Sequence, residues 1–145
     1  MILMEKQQSE QPGMGGTTPD EMVGLALEVQ KNAYAPYSGF RVGAAVLADN
    51  GRVYAGCNIE NASFGATICA ERTAIGKAIS DGARQILAVA VTSDSEDYTM
   101  PCGICRQVMS EFCASDMPLY LSDRKGNFKE FLFSDLLPNV FILKP

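Results

Sequence analysis

The feature that most constrains this chain is a pair of cysteine-bearing segments on either side of one apolar run. Cys69-Ala70-Glu71 opens a predicted helix that runs to about Ser80 and stops at Asp81-Gly82. Pro101-Cys102-Gly103-Ile104-Cys105 opens a second, over about residues 103–113. Between them residues 86–92 are continuously apolar, consistent with a buried strand. Upstream, Thr18-Pro19-Asp20-Glu21 reads as a helix start, with a Thr N-cap, Pro at the first helical position and Glu three residues after the cap. Met22, Leu25, Ala26 and Val29 continue at helical spacing toward Tyr34 and Pro36. Residues 40–48 and 52–58 read as strands joined by an Asp49-Asn50-Gly51 hairpin turn. Residues 58–68 form a polar loop. Residues 118–122 and 128–133 read as two further strands, followed by a helical turn over 134–137. The order α-β-β-α-β-α-β-β implies one mixed sheet with helices packed on its faces.

The chain has 145 residues, enough for one domain with a real core, and its 47% apolar content is ordinary for a globular protein. No apolar run reaches the roughly 18 residues of a membrane span, so no membrane partner is expected. Residues 1–16 turn polar and Gly-rich without the pattern of an export signal. They are expected to be a disordered extension ahead of a single domain over residues 17–145. Five cysteines is an odd number, and without an export signal a reducing cytoplasm is the expected compartment. The net charge of −5 gives no global attraction for phosphate backbones, which disfavours a nucleic acid substrate.

Histidine is absent, so a metal site here must be built from Cys and carboxylates. A Cys-x-x-Cys pair sets two thiolates on one side of a helix turn, and a third from another helix completes three ligands. Three protein ligands and an open fourth position characterise a catalytic zinc, and four a structural one. Helix N-termini favour thiolates, and both motifs sit at predicted helix starts. Zinc lowers the pKa of a bound water toward neutrality. Glu71, two residues after Cys69, is then the proton carrier at hand.

Each part alone has a plainer reading. A lone Cys-x-x-Cys can be a redox pair or half of a structural site, Cys69 a small core residue and Glu71 a solvated helix carboxylate. The combination is more specific. Cys69-x-Glu71 is followed after 29 intervening residues by Pro101-Cys102-x-x-Cys105. That is the signature of zinc deaminases, with Cys or His as first ligand and Glu as acid and base. Cys57 and Cys113 lack such partners and read as core or incidental thiols.

At these residues the chain resembles the cytidine deaminase family in its small homotetrameric branch. The resemblance runs from about Tyr34 to Phe141. It is strongest at Gly56-Cys57-Asn58-Ile59-Glu60-Asn61-Ala62, at Ile68-Cys69-Ala70-Glu71-Arg72-Thr73-Ala74, and at Pro101-Cys102-Gly103 with Cys105-Arg106-Gln107. It implies an α/β fold, a three-layer α/β/α sandwich with a five-stranded mixed sheet. It implies hydrolytic deamination of cytidine or deoxycytidine, Zn2+ on Cys69, Cys102 and Cys105, and Glu71 as the catalytic acid and base. Asn58 and Glu60 match the positions that hold the ribose, Phe40 the aromatic that packs on the base, and Ala70 a backbone contact to the pyrimidine. Ala62, Phe64 and Phe141 match positions that reach into a neighbouring subunit's pocket in a homotetramer. Phe64 stands where many relatives have Tyr, and the tail Ile142-Leu143-Lys144-Pro145 departs from their acidic ending.

Arg72 matches a residue that donates to the thiolates. Three thiolates leave zinc with a net negative charge, which weakens it as a Lewis acid, and a nearby cation offsets this. Three other readings stay open. One is a deaminase of a nucleoside analogue of the blasticidin type, against which Asn58, Glu60 and Arg72 weigh. A polynucleotide editor is opposed by the acidic balance and the lack of aromatic–basic interleaving. The third is a structural zinc module with Cys57 as fourth ligand.

Overall fold

The computed structural model describes residues 16–145. The expected disordered extension therefore lies outside the described residues except for Gly16. Helix α1, Pro19–Gln30, opens on the expected capping box: Thr18 Oγ1 accepts the Glu21 N–H at 3.1 Å, and Glu21 Oε1 accepts the Thr18 N–H at 2.8 Å. It ends earlier than its periodicity suggests. The backbone of Tyr34 is taken up by the segment after the second strand, donating to Asn58 O at 3.0 Å and accepting from Glu60 N at 2.8 Å.

Strands β1, Val42–Ala48, and β2, Val53–Cys57, form the hairpin, with Gly51 at φ +82° in the turn. A short 3₁₀ turn, Phe64–Ala66, interrupts the following loop. Helix α2, Ala70–Ser80, strand β3, Ile86–Ser93, and helix α3, Gly103–Ser110, come next. Helix α3 is shorter than expected, and the carbonyl of Phe112 beyond its end accepts the Ile86 N–H at 2.8 Å. Strands β4, Pro118–Ser122, and β5, Phe128–Leu132, precede a last helical turn α4, Phe133–Leu136.

The five strands lie in the order β2-β1-β3-β4-β5, with β3 and β4 parallel and the other neighbours antiparallel. Side chains alternate between the faces. Ala44, Val46, Ala48, Val89, Val91, Leu119 and Leu121 pack with Ala74, Ile75 and Ala78 of α2 and Cys105 and Met109 of α3. Ala45, Leu47, Ala88, Ala90 and Tyr120 pack with Met22, Val23 and Ala26 of α1. This is the expected three-layer α/β/α sandwich. Both faces of β3 are covered, which explains its unbroken apolar sequence. Gly56 on β2 lets α2 approach closely, since a Cβ there would fall 2.6 Å from the backbone nitrogen of Ala74. Among the described residues no helix is long and apolar enough to cross a membrane.

Candidate active site and metal centre

Both cysteine motifs sit at helix N-termini on one side of the sheet. Cys69 is the N-cap of α2 and Cys102 the N-cap of α3, each with extended backbone, and Cys105 lies in the first turn of α3. The loop that brings α3 into place is tied down by buried hydroxyls. Ser93 and Thr99 share a hydrogen bond of 2.6 Å, and Thr99 donates onward to Ser122 O at 2.8 Å. Arg106 Nε donates to Pro101 O at 2.8 Å, fixing the backbone just before Cys102.

The Sγ atoms of Cys69, Cys102 and Cys105 all lie within 4.8 Å of one another, and Cys69 and Cys102 are 3.8 Å apart. Two sulfurs at about 2.3 Å from one tetrahedral centre would stand about 3.8 Å apart, so the spacing fits zinc. Cys57, at the end of β2, is not among these ligand atoms. The fourth ligand required by a structural zinc module is therefore not supplied by it.

The thiols differ in acidity. The Cys69 thiol is held down to about 5, chiefly by a hydrogen bond from Cys105, with Arg72 and Cys102 assisting against burial. Cys105 is pushed up, first by its bond to Cys69, then by burial and the charge of Glu71. Arg72 Nη2 lies 3.5 Å from Cys69 Sγ and 3.4 Å from Thr67 O. Its Nε is buried without a hydrogen-bond partner. Glu71 is 4% exposed. Burial raises its carboxyl from 4.5 to about 7, helped by the charge of Cys69 and opposed by its own N–H and by Arg72. A buried carboxyl beside a thiol cluster can both hold and release a proton near neutrality.

The expected sugar and base contacts form a second group. Asn58 is buried, and its amide binds backbone at both ends: Oδ1 accepts from Val42 N at 2.8 Å and Nδ2 donates to Phe40 O at 2.9 Å. It thereby fixes the segment carrying Phe40, which is partly exposed. Glu60 lines a cavity of about 410 Å³ with Tyr37, Ser38, Asn61, Phe64 and Thr67. Thr67 joins the two groups, since its carbonyl accepts from Arg72. Ala70 is fully buried at the start of α2. Ala62, Phe64 and Phe141 are exposed, and Phe64 meets Tyr37 edge to face at 6.4 Å.

Sequence reasoning missed the parts played by Ser38, Thr67, Arg106 and Gln107. Arg106 Nη1 donates to Leu136 O at 2.8 Å and Gln107 Nε2 to Phe141 O at 3.2 Å, so α3 also holds the C-terminal segment. The motif Cys105-Arg106-Gln107 was visible, but its C-terminal partners, Leu136 and Phe141, lie at least thirty residues on.

The family described as cytidine and deoxycytidylate deaminase zinc-binding region matches residues 17–121, a span that contains the thiol cluster and Glu71. The chain belongs to the cytidine and deoxycytidylate deaminase family. Relatives cover most of it. The cytidine deaminase of Sporosarcina psychrophila is 48% identical over 122 residues, 84% of this chain and 90% of the relative. That of Halalkalibacterium halodurans is 50% identical over 116 residues, 80% and 88% of the two chains. The crystal structure of cytidine deaminase from Burkholderia pseudomallei superposes with a TM-score of 0.82 at 40% identity, covering 86% of this chain and all of that one. Membership in this family accounts for both the five-stranded fold and the thiol site for zinc.

Proposed function

We propose that this chain catalyses the zinc-dependent hydrolysis of cytidine and deoxycytidine to uridine and deoxyuridine, with release of ammonia. The observation that carries the reading is the cluster of three thiols, within 4.8 Å of one another, at two helix N-termini beside a buried Glu71. The relatives bearing the name cytidine deaminase favour cytidine over an analogue such as blasticidin S.

Cys69, Cys102 and Cys105 would hold the metal. When bound, zinc supplies an activated water nucleophile at neutral pH. Glu71 would carry the protons: one accepted as water adds to C4 of the base and passed to N3, then that of the new C4 hydroxyl, passed to the amino nitrogen as the C4–N bond breaks and ammonia leaves a C4 carbonyl behind. Arg72 offsets the charge of the thiolates. Phe40 packs on the pyrimidine, the backbone of Ala70 contacts its edge, and Asn58 and Glu60 hold the sugar.

The catalytic domain spans residues 17–145, behind an N-terminal extension. The chain works in the cytoplasm, in pyrimidine salvage, as a homotetramer with shared pockets. Exposed apolar groups support that assembly: Ile104, between two of the cysteines, is 62% exposed, Phe64 79% and Phe141 69%. Apolar surface at the mouth of a site is suited to cover by another subunit. Ala62, Phe64 and Phe141 are the residues that cross the interface.

Incubating zinc-loaded protein with cytidine tests the activity. Near-ultraviolet absorbance should fall as ammonia appears in equal amount. Intact cytidine after prolonged incubation with the zinc-loaded enzyme would refute it.

A further inference from the structure

Ser38 has no part in the chemistry above, yet it joins the two groups expected to meet the sugar and the base. Its hydroxyl donates to Glu60 Oε2, and its oxygen accepts the Phe40 N–H at 3.0 Å. The other oxygen of Glu60, Oε1, accepts two backbone N–H groups, from Tyr37 at 2.9 Å and Ser38 at 3.1 Å. The turn that allows this closes with Gly39 at φ +70°, a left-handed conformation that glycine adopts without strain, and Gly39 N bonds Ala35 O at 2.9 Å.

A carboxylate offers about four lone-pair positions. Three are occupied here, and the remaining one belongs to Oε2, on a side chain that lines the cavity. Glu60 would otherwise be a flexible, partly exposed side chain, and ordering such a chain at the moment of binding weakens affinity. The hydrogen bond from Ser38 is also the largest influence holding its carboxyl below the ordinary value, so it stays ionised and acceptor-only.

We propose that Ser38 is a positioning residue for sugar recognition, fixing Glu60 so that one acceptor site on Oε2 is presented to one hydroxyl of the nucleoside sugar. The inference rests on the reading of Glu60 as a sugar contact, and the test separates the two. The measurement is kcat/KM for cytidine and for 2′,3′-dideoxycytidine, the latter as a competitive inhibitor where turnover is slow. It is made on zinc-loaded wild-type, Ser38→Ala, Ser38→Thr and Glu60→Gln proteins.

Ser38→Ala should lower kcat/KM for cytidine about tenfold, through KM, as expected for one charge-assisted hydrogen bond. The dideoxy compound, with no sugar hydroxyl at these positions, should change less than about twofold. Ser38→Thr keeps the hydroxyl and should restore cytidine. Equal losses on both substrates would show that Ser38 acts through Phe40 or the fold alone, and would overturn the proposal, as would no loss on cytidine. If Glu60→Gln discriminates between the two compounds as well as wild-type does, the sugar reading of Glu60 falls and the role of Ser38 with it. If Glu60→Gln loses that discrimination while Ser38→Ala keeps it, only the role of Ser38 falls.

Discussion

Arg72 is the cation beside the three-thiol cluster. Its guanidinium lies 3.5 Å from Cys69 Sγ and within the field of Cys105, which raises its own pKa. A cation beside three thiolates withdraws negative charge that would otherwise weaken the metal as a Lewis acid. Arg72→Ala should therefore lower kcat about 10- to 100-fold, the usual effect of removing a partner of the metal ligands, with bound zinc per chain unchanged. Steady-state kinetics with metal analysis checks this, and an unaltered kcat would contradict it. The three cysteines and Glu71 stood out in the sequence as a set of short motifs and Arg72 through the family resemblance, and the structure brings the thiols and the guanidinium together. Ser38 was not, since its bond to Glu60 spans 22 residues and depends on how two loops meet. Asn58 was legible only in part. Its expected sugar role gave no hint that its amide also fixes the backbone at Phe40 and Val42.

Between elements, Asp94 is the most hydrogen-bonded carboxylate outside the site among the described residues. It follows β3 directly and accepts from Gln30 Nε2 at 3.1 Å, from the Arg41 backbone at 2.9 Å and from the Arg41 guanidinium at 3.1 and 3.2 Å. It thus ties the end of α1 and the approach to β1 to the loop that leads to α3. Partial burial pushes its carboxyl up, but the bonds and charge of Arg41, with Gln30, bring it below the ordinary 3.8. A carboxyl depressed in the folded state stabilises it above the unfolded pKa, and that contribution is lost as pH falls through the folded value. Asp94→Asn should therefore destabilise the protein near pH 7, by about 1 kcal/mol for partly exposed partners. The difference from wild-type should shrink as the pH is taken below 3.8. Denaturant unfolding across that range measures it, and a pH-independent difference would contradict the assignment. The strands and helix starts were readable from apolar runs, the capping box and the turn glycines. The ends of α1 and α3 were not, because tertiary bonds from Tyr34 and at Phe112 claim backbone that periodicity alone would leave helical.

At the scale of the whole molecule, two apolar clusters on opposite faces of one sheet hold the layers together, and the site lies where two helices begin on the same face. The strand holding Ala44 to Ala48 was legible as a Val- and Ala-rich run, but which of its side chains face each layer was not, because the run is apolar throughout, nor was the strand order, which is set by contacts between distant segments. The exposed Phe64, Ile104 and Phe141 point outward from this arrangement, and light scattering should give four times the 15.6 kDa chain mass. A chain mass of 15.6 kDa under assay conditions would contradict shared pockets. Glu71→Gln tests whether the buried carboxyl moves protons beside a thiol-bound zinc. The substitution preserves shape and removes the proton-carrying group. Zinc content should stay full while cytidine turnover falls about 10²- to 10⁴-fold. Turnover close to wild-type with zinc retained would contradict it.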